Sequence, residues 1–315
     1  MVADTADIKV FFEPRIERHD EGLYAHVGLA EGIPADAALG GQVRERFAAD
    51  GFLLVKGLLR EDELAEAIRE LRALTQSDKP RCEMIWFEGG LRDHWALAEE
   101  NDHDMDGKRA DSGFTLGQSG TRLPTLDPAF RANFVRKVMG FVDHNPGLSA
   151  LADHPRIVQL VTELIGARPK LFQEMALIKP PGGREKPWHQ DHAYFNLSLD
   201  TPVLGIWFPF GEATPANGCM HVLAGGHRDG PRIHFNRRDW QICDTDVDID
   251  RRLAVPMEAG DVLFFDGKLP HGTPINDTEE QRWAVQYHYA PETAVMVDDT
   301  ERLTAFGSEG KDVTC

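Results

Sequence analysis

A mainly β fold with helices packed outside it is predicted, and three features of the chain predict it. Residues from about 168 to 292 break into short runs rich in β-branched and aromatic residues, separated by Gly, Pro, Asn and Asp. KLFQEMALIK, TPVLGIWFPFGE, GCMHVLAG, RRLAVPME, GDVLFFDG and RWAVQYHYA are such runs, and their number reads as a sandwich or barrel. Helical periodicity is confined to about residues 41 to 167, so the helices lie outside the sheets. No internal repeat or Pro/Gly/Ser linker divides the 315 residues, and 42% hydrophobic content suffices for one large core.

Taken in order, residues 1 to 40 read as an irregular N-terminal arm, 41 to 295 as a single domain and 296 to 315 as a C-terminal tail. GQVRERFAADGFLLVKGLL reads as a helix, a turn at Asp50-Gly51 and a short apolar strand. In REDELAEAIRELRALTQ, Leu64, Ile68, Leu71 and Leu74 recur at helical spacing between charges, which predicts an amphipathic helix covering the core. Residues 80 to 125 are polar and Gly-rich without a period and are expected to be loops. Helices are expected over about 128 to 143 and 155 to 166, the second with Ile157, Leu160, Val161, Leu164 and Ile165 on one face and Gly166 as its stop.

Composition excludes some functions. With 34 Lys+Arg against 52 Asp+Glu, the formal charge of -18 opposes binding to nucleic-acid phosphates or anionic membranes. Cys82, Cys219, Cys243 and Cys315 are scattered without a CxxC pair, so neither a disulfide framework nor a thiolate zinc site is expected. A reducing cytoplasm fits that pattern. The first twenty residues carry no basic segment followed by an apolar one, and no stretch reaches the ~20 apolar residues of a membrane span.

The densest chemical signal is PWHQDHAYF, in which His189 and Asp191 stand two residues apart. On extended chain that spacing puts both side chains on one face, where an imidazole and a carboxylate can share a divalent ion. His271, just past the apolar run VLFFD, is the candidate third ligand. Two histidines and one carboxylate make the facial triad of non-haem iron(II) sites, with coordination positions left open. A zinc hydrolase can use the same ligand types, so the triad alone leaves the metal open. Arg282 opens the strand RWAVQYHYA eleven residues beyond His271. It is either a solvated strand-start residue or a guanidinium that enters the same cavity to grip a carboxylate bidentately. Thr273 shares the face of His271 and can add a hydrogen bond.

These blocks occur in an order that resembles the phytanoyl-CoA dioxygenase family of iron(II)- and 2-oxoglutarate-dependent oxygenases. FAADGFLLVKGLL is similar to the family's opening segment and LIKPPGG to its approach to the metal. WHQDHAYF, GEATPANGCMHVLAGGHRDG and GDVLFFDGKLPHGTPIN are similar to its HxD block, central turn and distal-histidine block. The likeness spans about residues 44 to 292 and is weakest over 80 to 125 and 231 to 252. AGGH at 224 to 227 departs from the family's usual Pro-Gly-Ser-His without touching a ligand position.

The resemblance implies a double-stranded β-helix, or cupin-like jelly roll, with flanking helices. It implies Fe(II) on His189, Asp191 and His271, and the C5 carboxylate of 2-oxoglutarate on Arg282 and Thr273, with Gln173 helping to hold this co-substrate. The implied reaction consumes O2, converts 2-oxoglutarate to succinate and CO2, and hydroxylates an unactivated C–H of a small organic substrate. The carboxylate ligand is present, which favours hydroxylation over halogenation. Tyr194, Phe195 and Trp207 are the candidates for substrate contact, against a plain role in packing. The rival readings are desaturation, epimerisation or cyclisation at the same metal, a non-catalytic metabolite-binding jelly roll, and a zinc hydrolase.

Two acidic runs imitate calcium loops. Asp102, Asp104, Asp106 and Gly107 begin like one, but Gly113 stands at the twelfth position, where a bidentate Glu is required. Asp244, Asp246, Asp248 and Asp250 end on Val255 at that position. Both are read as solvated loops.

Overall fold

The short β-rich runs of the second half pair into two sheets that face each other. The computed structural model describes residues 8–14, 18–41, 43–95, 119–120 and 123–307. Its larger sheet runs, in spatial order, Ile33–Pro34, Phe52–Lys56, Val262–Asp266, Leu204–Pro209, Arg282–Pro291, Pro169–Lys179, Val135–Met139, Met84–Phe87, Lys9–Phe12 and Ser119–Gly120. The smaller runs Gly28–Leu29, Arg252–Val255, Met220–Leu223, His271–Thr273 and Lys186–His189. Neighbours in space are rarely neighbours in sequence, as a double-stranded β-helix requires. A separate hairpin pairs His234–Asn236 with Trp240–Ile242.

Alternation along each strand sorts its side chains between two cores. On Leu204–Pro209, Ile206 and Phe208 join the apolar cluster under the helices, while Trp207 joins the cluster between the sheets. The helices Glu61–Thr75, Pro146–Ala152 and Pro155–Ile165 cover the outer face of the large sheet with Leu64, Leu71, Leu148 and Leu160. Each such leucine contributes roughly 1.5–3 kcal/mol by leaving water. Tyr287 and Tyr289 of the long strand donate to the carbonyls of Leu148 and Ala152, at 2.7 and 2.6 Å, tying helix to sheet.

The helix Val43–Asp50, the turn at Gly51 (φ 78) and the strand Phe52–Lys56 follow the sequence reading. Pro155–Ile165 ends, as expected, on Gly166 in the left-handed region. The segment 128–143 departs from it. A one-turn helix, Pro128–Ala132, is capped by Asp127, and the chain then becomes the strand Val135–Met139. Its β-branched Val135 and Val138 fill a gap between Met84–Phe87 and Pro169–Lys179, so sheet pairing overrides helical spacing. Residues 80 to 125 are not all loop, because Met84–Phe87 and Ser119–Gly120 are strands and Leu91–Trp95 a short helix. The N-terminal forty residues place Lys9–Phe12, Gly28–Leu29 and Ile33–Pro34 in the sheets, and Asp299–Phe306 of the tail is a helix.

Cys82 and Cys219 are free and buried, but Cys243 is disulfide-bonded, against the expectation of four unpaired thiols. The cysteines therefore no longer argue for a reducing compartment. The run from Asp102 to Gly113 lies outside the described residues. In the second acidic run, Asp244 accepts from both terminal nitrogens of Arg238 at 2.7 Å, which leaves a local ion pair in place of a cation cage. Among the described residues no helix is long and apolar enough to cross a membrane.

Gly205 sits opposite Phe265 across the central strands, and a Cβ there would fall 2.3 Å from the Phe265 ring. That ring packs 4.8 Å from the ring of His271. Gly205→Ala should therefore overpack the core by about 1–3 kcal/mol, read as a lower urea midpoint, and should weaken metal binding at the same time.

Candidate active site

His189 and His271 are brought together by strand pairing. Lys186–His189 and His271–Thr273 run antiparallel with the two histidines as direct partners, and their ring centroids lie 4.2 Å apart. The strand ends at His189, and Asp191 opens a short 3-10 turn. Gln190 between them is still extended (φ -115, ψ 128), so the two-residue spacing keeps both ligands on one face although the strand has stopped. Asp191 Oδ1 lies 3.2 Å from His189 Nε2 and 3.6 Å from His271 Nε2, and the three ligand atoms all fall within 4.8 Å of one another. Ligands ~2.1 Å from one ion on a common face are separated by roughly 3 Å, so the cluster fits a divalent metal.

The surroundings prepare each ligand atom. His189 Nδ1 donates to the carbonyl of Pro187 at 2.8 Å, and His271 Nδ1 to that of Leu269 at 3.0 Å. Those acceptors hold the proton on Nδ1 and leave both Nε2 lone pairs facing the metal position. Asp191 Oδ2 accepts from Gln286 Nε2 at 3.0 Å and from His288 Nε2 at 2.8 Å, which frees Oδ1 for the ion. Burial pushes the Asp191 carboxyl up, but its histidine neighbours, His271 foremost, outweigh burial and hold it well below the usual range. Burial, with the neighbouring His189, pushes His271 down to about 4. At neutral pH the cluster is one carboxylate beside a neutral imidazole on His271, which is the protonation that metal binding needs.

A second polar centre lies in the same cavity. Arg282 and Lys179 are direct partners across the large sheet, and both are buried. Among the described residues no carboxylate pairs with either. Like charges opposed on one sheet face repel, and burial pulls the Arg282 guanidinium down to about 10 without discharging it. Arg282 stands 5.2 Å over the ring of Trp207, its Nε has no partner, and its one bond runs from Nη1 to the Leu177 carbonyl at 3.4 Å. Thr273 is buried beside it and accepts from Lys179 Nζ at 2.8 Å. Gln173 lines the cavity with a buried, unpartnered Oε1. Burial and the facing Arg282 push the Lys179 amine well below its usual range, so the cavity holds a guanidinium, an amine that an anion would charge, and several unsatisfied polar atoms, an arrangement that can take a carboxylate.

All nine side chains singled out from sequence line this one cavity. Tyr194 and Phe195 lie on the 3-10 turn and its cap, not on a strand. The Tyr194 ring stands 5.6 Å from that of His189, and its hydroxyl donates to the Trp240 carbonyl at 2.7 Å. Phe195 packs on the ring of His288 at 5.0 Å. Lys179 and Gln190 lie inside the LIKPPGG and WHQDHAYF blocks without a role that spacing reveals, and no motif covers Gln286 or His288. The period-two series Arg282, Ala284, Gln286, His288 is the one local signal that puts two of them on the inner face. Gln190 pins the ligand turn, with its side chain donating to the Gly230 and Lys268 carbonyls and its backbone N–H donating to His234 Nε2 at 3.0 Å.

The fold and the triad define a double-stranded β-helix protein with a facial two-histidine, one-carboxylate metal site. The family model for phytanoyl-CoA dioxygenase (PhyH) matches residues 47–284, and the chain belongs to this family. A probable phytanoyl-CoA dioxygenase of Caenorhabditis elegans is 32% identical over 187 residues, covering 54% of this chain and 59% of that protein. The match thus spans less than two thirds of that relative's length. The solved structure of the epimerase SnoN with Fe3+, alpha ketoglutarate and nogalamycin RO is similar with a TM-score of 0.57, at 22% identity over 84% of this chain and 88% of that one. EvdO2 from Micromonospora carbonacea var. aurantiaca, complexed with 2-oxoglutarate, gives 0.55 at 23% identity, over 84% and 95%.

Losing either support of Asp191 should loosen the ligand set. Gln286→Leu or His288→Phe is expected to weaken iron(II) affinity about 10- to 100-fold with the fold retained, as measured by competition with a chelator. His234 supplies a pH signature. Burial pushes it from 6.5 down to about 3, so the unfolded chain binds its proton first and stability falls as pH drops through that window. The slope of the urea midpoint between pH 7 and pH 4 should flatten in His234→Gln.

Proposed function

We propose that this chain is an iron(II)- and 2-oxoglutarate-dependent dioxygenase that oxidises an unactivated C–H bond of a small organic substrate, with hydroxylation as the outcome. The observation that carries the reading is the coexistence, in one cavity, of a facial triad and a buried Arg282–Lys179 pair that no carboxylate of the described residues pairs with. A diacid that chelates a metal at one end and pairs with cations at the other satisfies both at once. His189, Asp191 and His271 would hold the iron, and Arg282 with the Thr273 hydroxyl would take the far carboxylate. A bound iron(II) would supply dioxygen activation, with 2-oxoglutarate converted to succinate and CO2.

The chain's own groups place and shield the reacting parts. Asp191 stays ionised while Gln286 and His288 hold its outer oxygen, so the ligand cannot rotate away from the ion. Trp207 backs the guanidinium and keeps water from it. Phe195 and Tyr194, beside His288 and His189, wall the space where a substrate C–H would lie. The family membership and the iron- and 2-oxoglutarate-bearing neighbours support the same class. A zinc hydrolase has no necessary role for Arg282 and Lys179, whereas a diacid co-substrate gives both one.

Anaerobic titration of the iron(II)-loaded protein with 2-oxoglutarate should produce a saturable visible charge-transfer band, and its absence with iron content confirmed would refute the proposal. Asp191→Ala should abolish the band and succinate formation. Arg282→Leu should raise the 2-oxoglutarate requirement by about 100-fold or more, because it removes a bidentate charge pair. Product analysis separates hydroxylation from desaturation, epimerisation or cyclisation.

A further inference from the structure

We infer that Lys179 is a positioning residue for the distal carboxylate of the 2-oxo acid, acting through Thr273. This rests on the co-substrate reading above and names a residue that reading does not require. The Lys179 ammonium is buried, and its hydrogen bonds run to the Thr273 hydroxyl at 2.8 Å, the Thr273 carbonyl at 3.3 Å and the Pro274 carbonyl. An ammonium has three donors, and all three point at the segment following His271. A hydroxyl whose oxygen already accepts from an ammonium turns its own proton elsewhere, here toward the cavity that Thr273 and Arg282 both line. Lys179 thereby makes Thr273 a donor, and because burial and the facing Arg282 push its own pKa well below the usual range, its proton is held most firmly when an anion lies between the two.

The surrounding backbone is shaped for this side chain. Gly218 has φ +84, and a Cβ there would fall 2.7 Å from Lys179 Cδ and 2.8 Å from the Pro274 carbonyl. Asn276 donates to the Lys179 carbonyl at 2.9 Å from the same loop. A methionine of similar length would fill the space without opposing Arg282, so an amine with three polar contacts to the Thr273–Pro274 segment points to a role toward that hydroxyl and not to packing.

The test uses the full chain loaded with iron(II) under anaerobic conditions, titrated separately with 2-oxoglutarate and with pyruvate. Pyruvate carries the same chelating end and no distal carboxylate. Lys179→Met should weaken 2-oxoglutarate about tenfold or more and leave pyruvate unchanged. Thr273→Ala should weaken 2-oxoglutarate by a comparable factor, and the double variant should be no worse than the weaker single one. An unchanged 2-oxoglutarate affinity in Lys179→Met, or equal losses for both acids, overturns the role. Should Lys179→Met not fold, Lys179→Gln, which is one bond shorter and neutral, decides: selective loss of 2-oxoglutarate over pyruvate upholds the proposal, and an unchanged affinity overturns it. A wild-type protein that binds neither acid overturns the oxygenase reading itself, together with this role.

Discussion

His189 and His271 face each other across a single antiparallel pair, and the other parts of the site are arranged around that contact. Cross-strand partners are held ~5 Å apart by backbone hydrogen bonds, so two imidazoles reach one ion without help from flexible loops. The Asp191 turn then needs only one extended residue, Gln190, to bring its carboxylate to the same point. Phe265, Gly205 and the apolar cluster between the sheets support the pair from behind.

The long strand Arg282–Pro291 does much of the remaining work. Its outer residues Val285, Tyr287 and Tyr289 are packed under the helices, while Arg282, Gln286 and His288 face inward. One strand therefore delivers the buried guanidinium and both hydrogen-bond donors to Asp191, at a spacing the pleat dictates. Rigid delivery matters here because a metal ligand displaced by a fraction of an ångström loses its geometry.

The electrostatics of the site run against those of the whole molecule. A chain of formal charge -18 buries a lysine and an arginine side by side, with Arg136 close enough to lower both further. Net charge governs long-range behaviour, whereas a cavity's charge is set by the few groups that line it. Buried repulsion of this kind costs stability in the free protein and would be offset by a bound anion. Strain of this sort is expected where function, not packing, chose the residues.

Local patterns carried much of the fold. The amphipathic helices Glu61–Thr75 and Pro155–Ile165, the strand runs after 168, and the cluster of His189, Asp191 and His271 were legible from spacing and composition. Residues 128–143 were not, because Val135–Met139 is a strand only where Met84–Phe87 and Pro169–Lys179 leave room for it. Gln286 and His288 meet Asp191 from 95 and 97 residues away, and Lys179 meets Thr273 from 94. The sequence by itself determined which chemical groups were available and which near neighbours shared a face, since those follow from the period of the backbone. Which distant strands lie side by side was decided only in the tertiary structure, because that depends on sheet pairing and core packing across the whole chain.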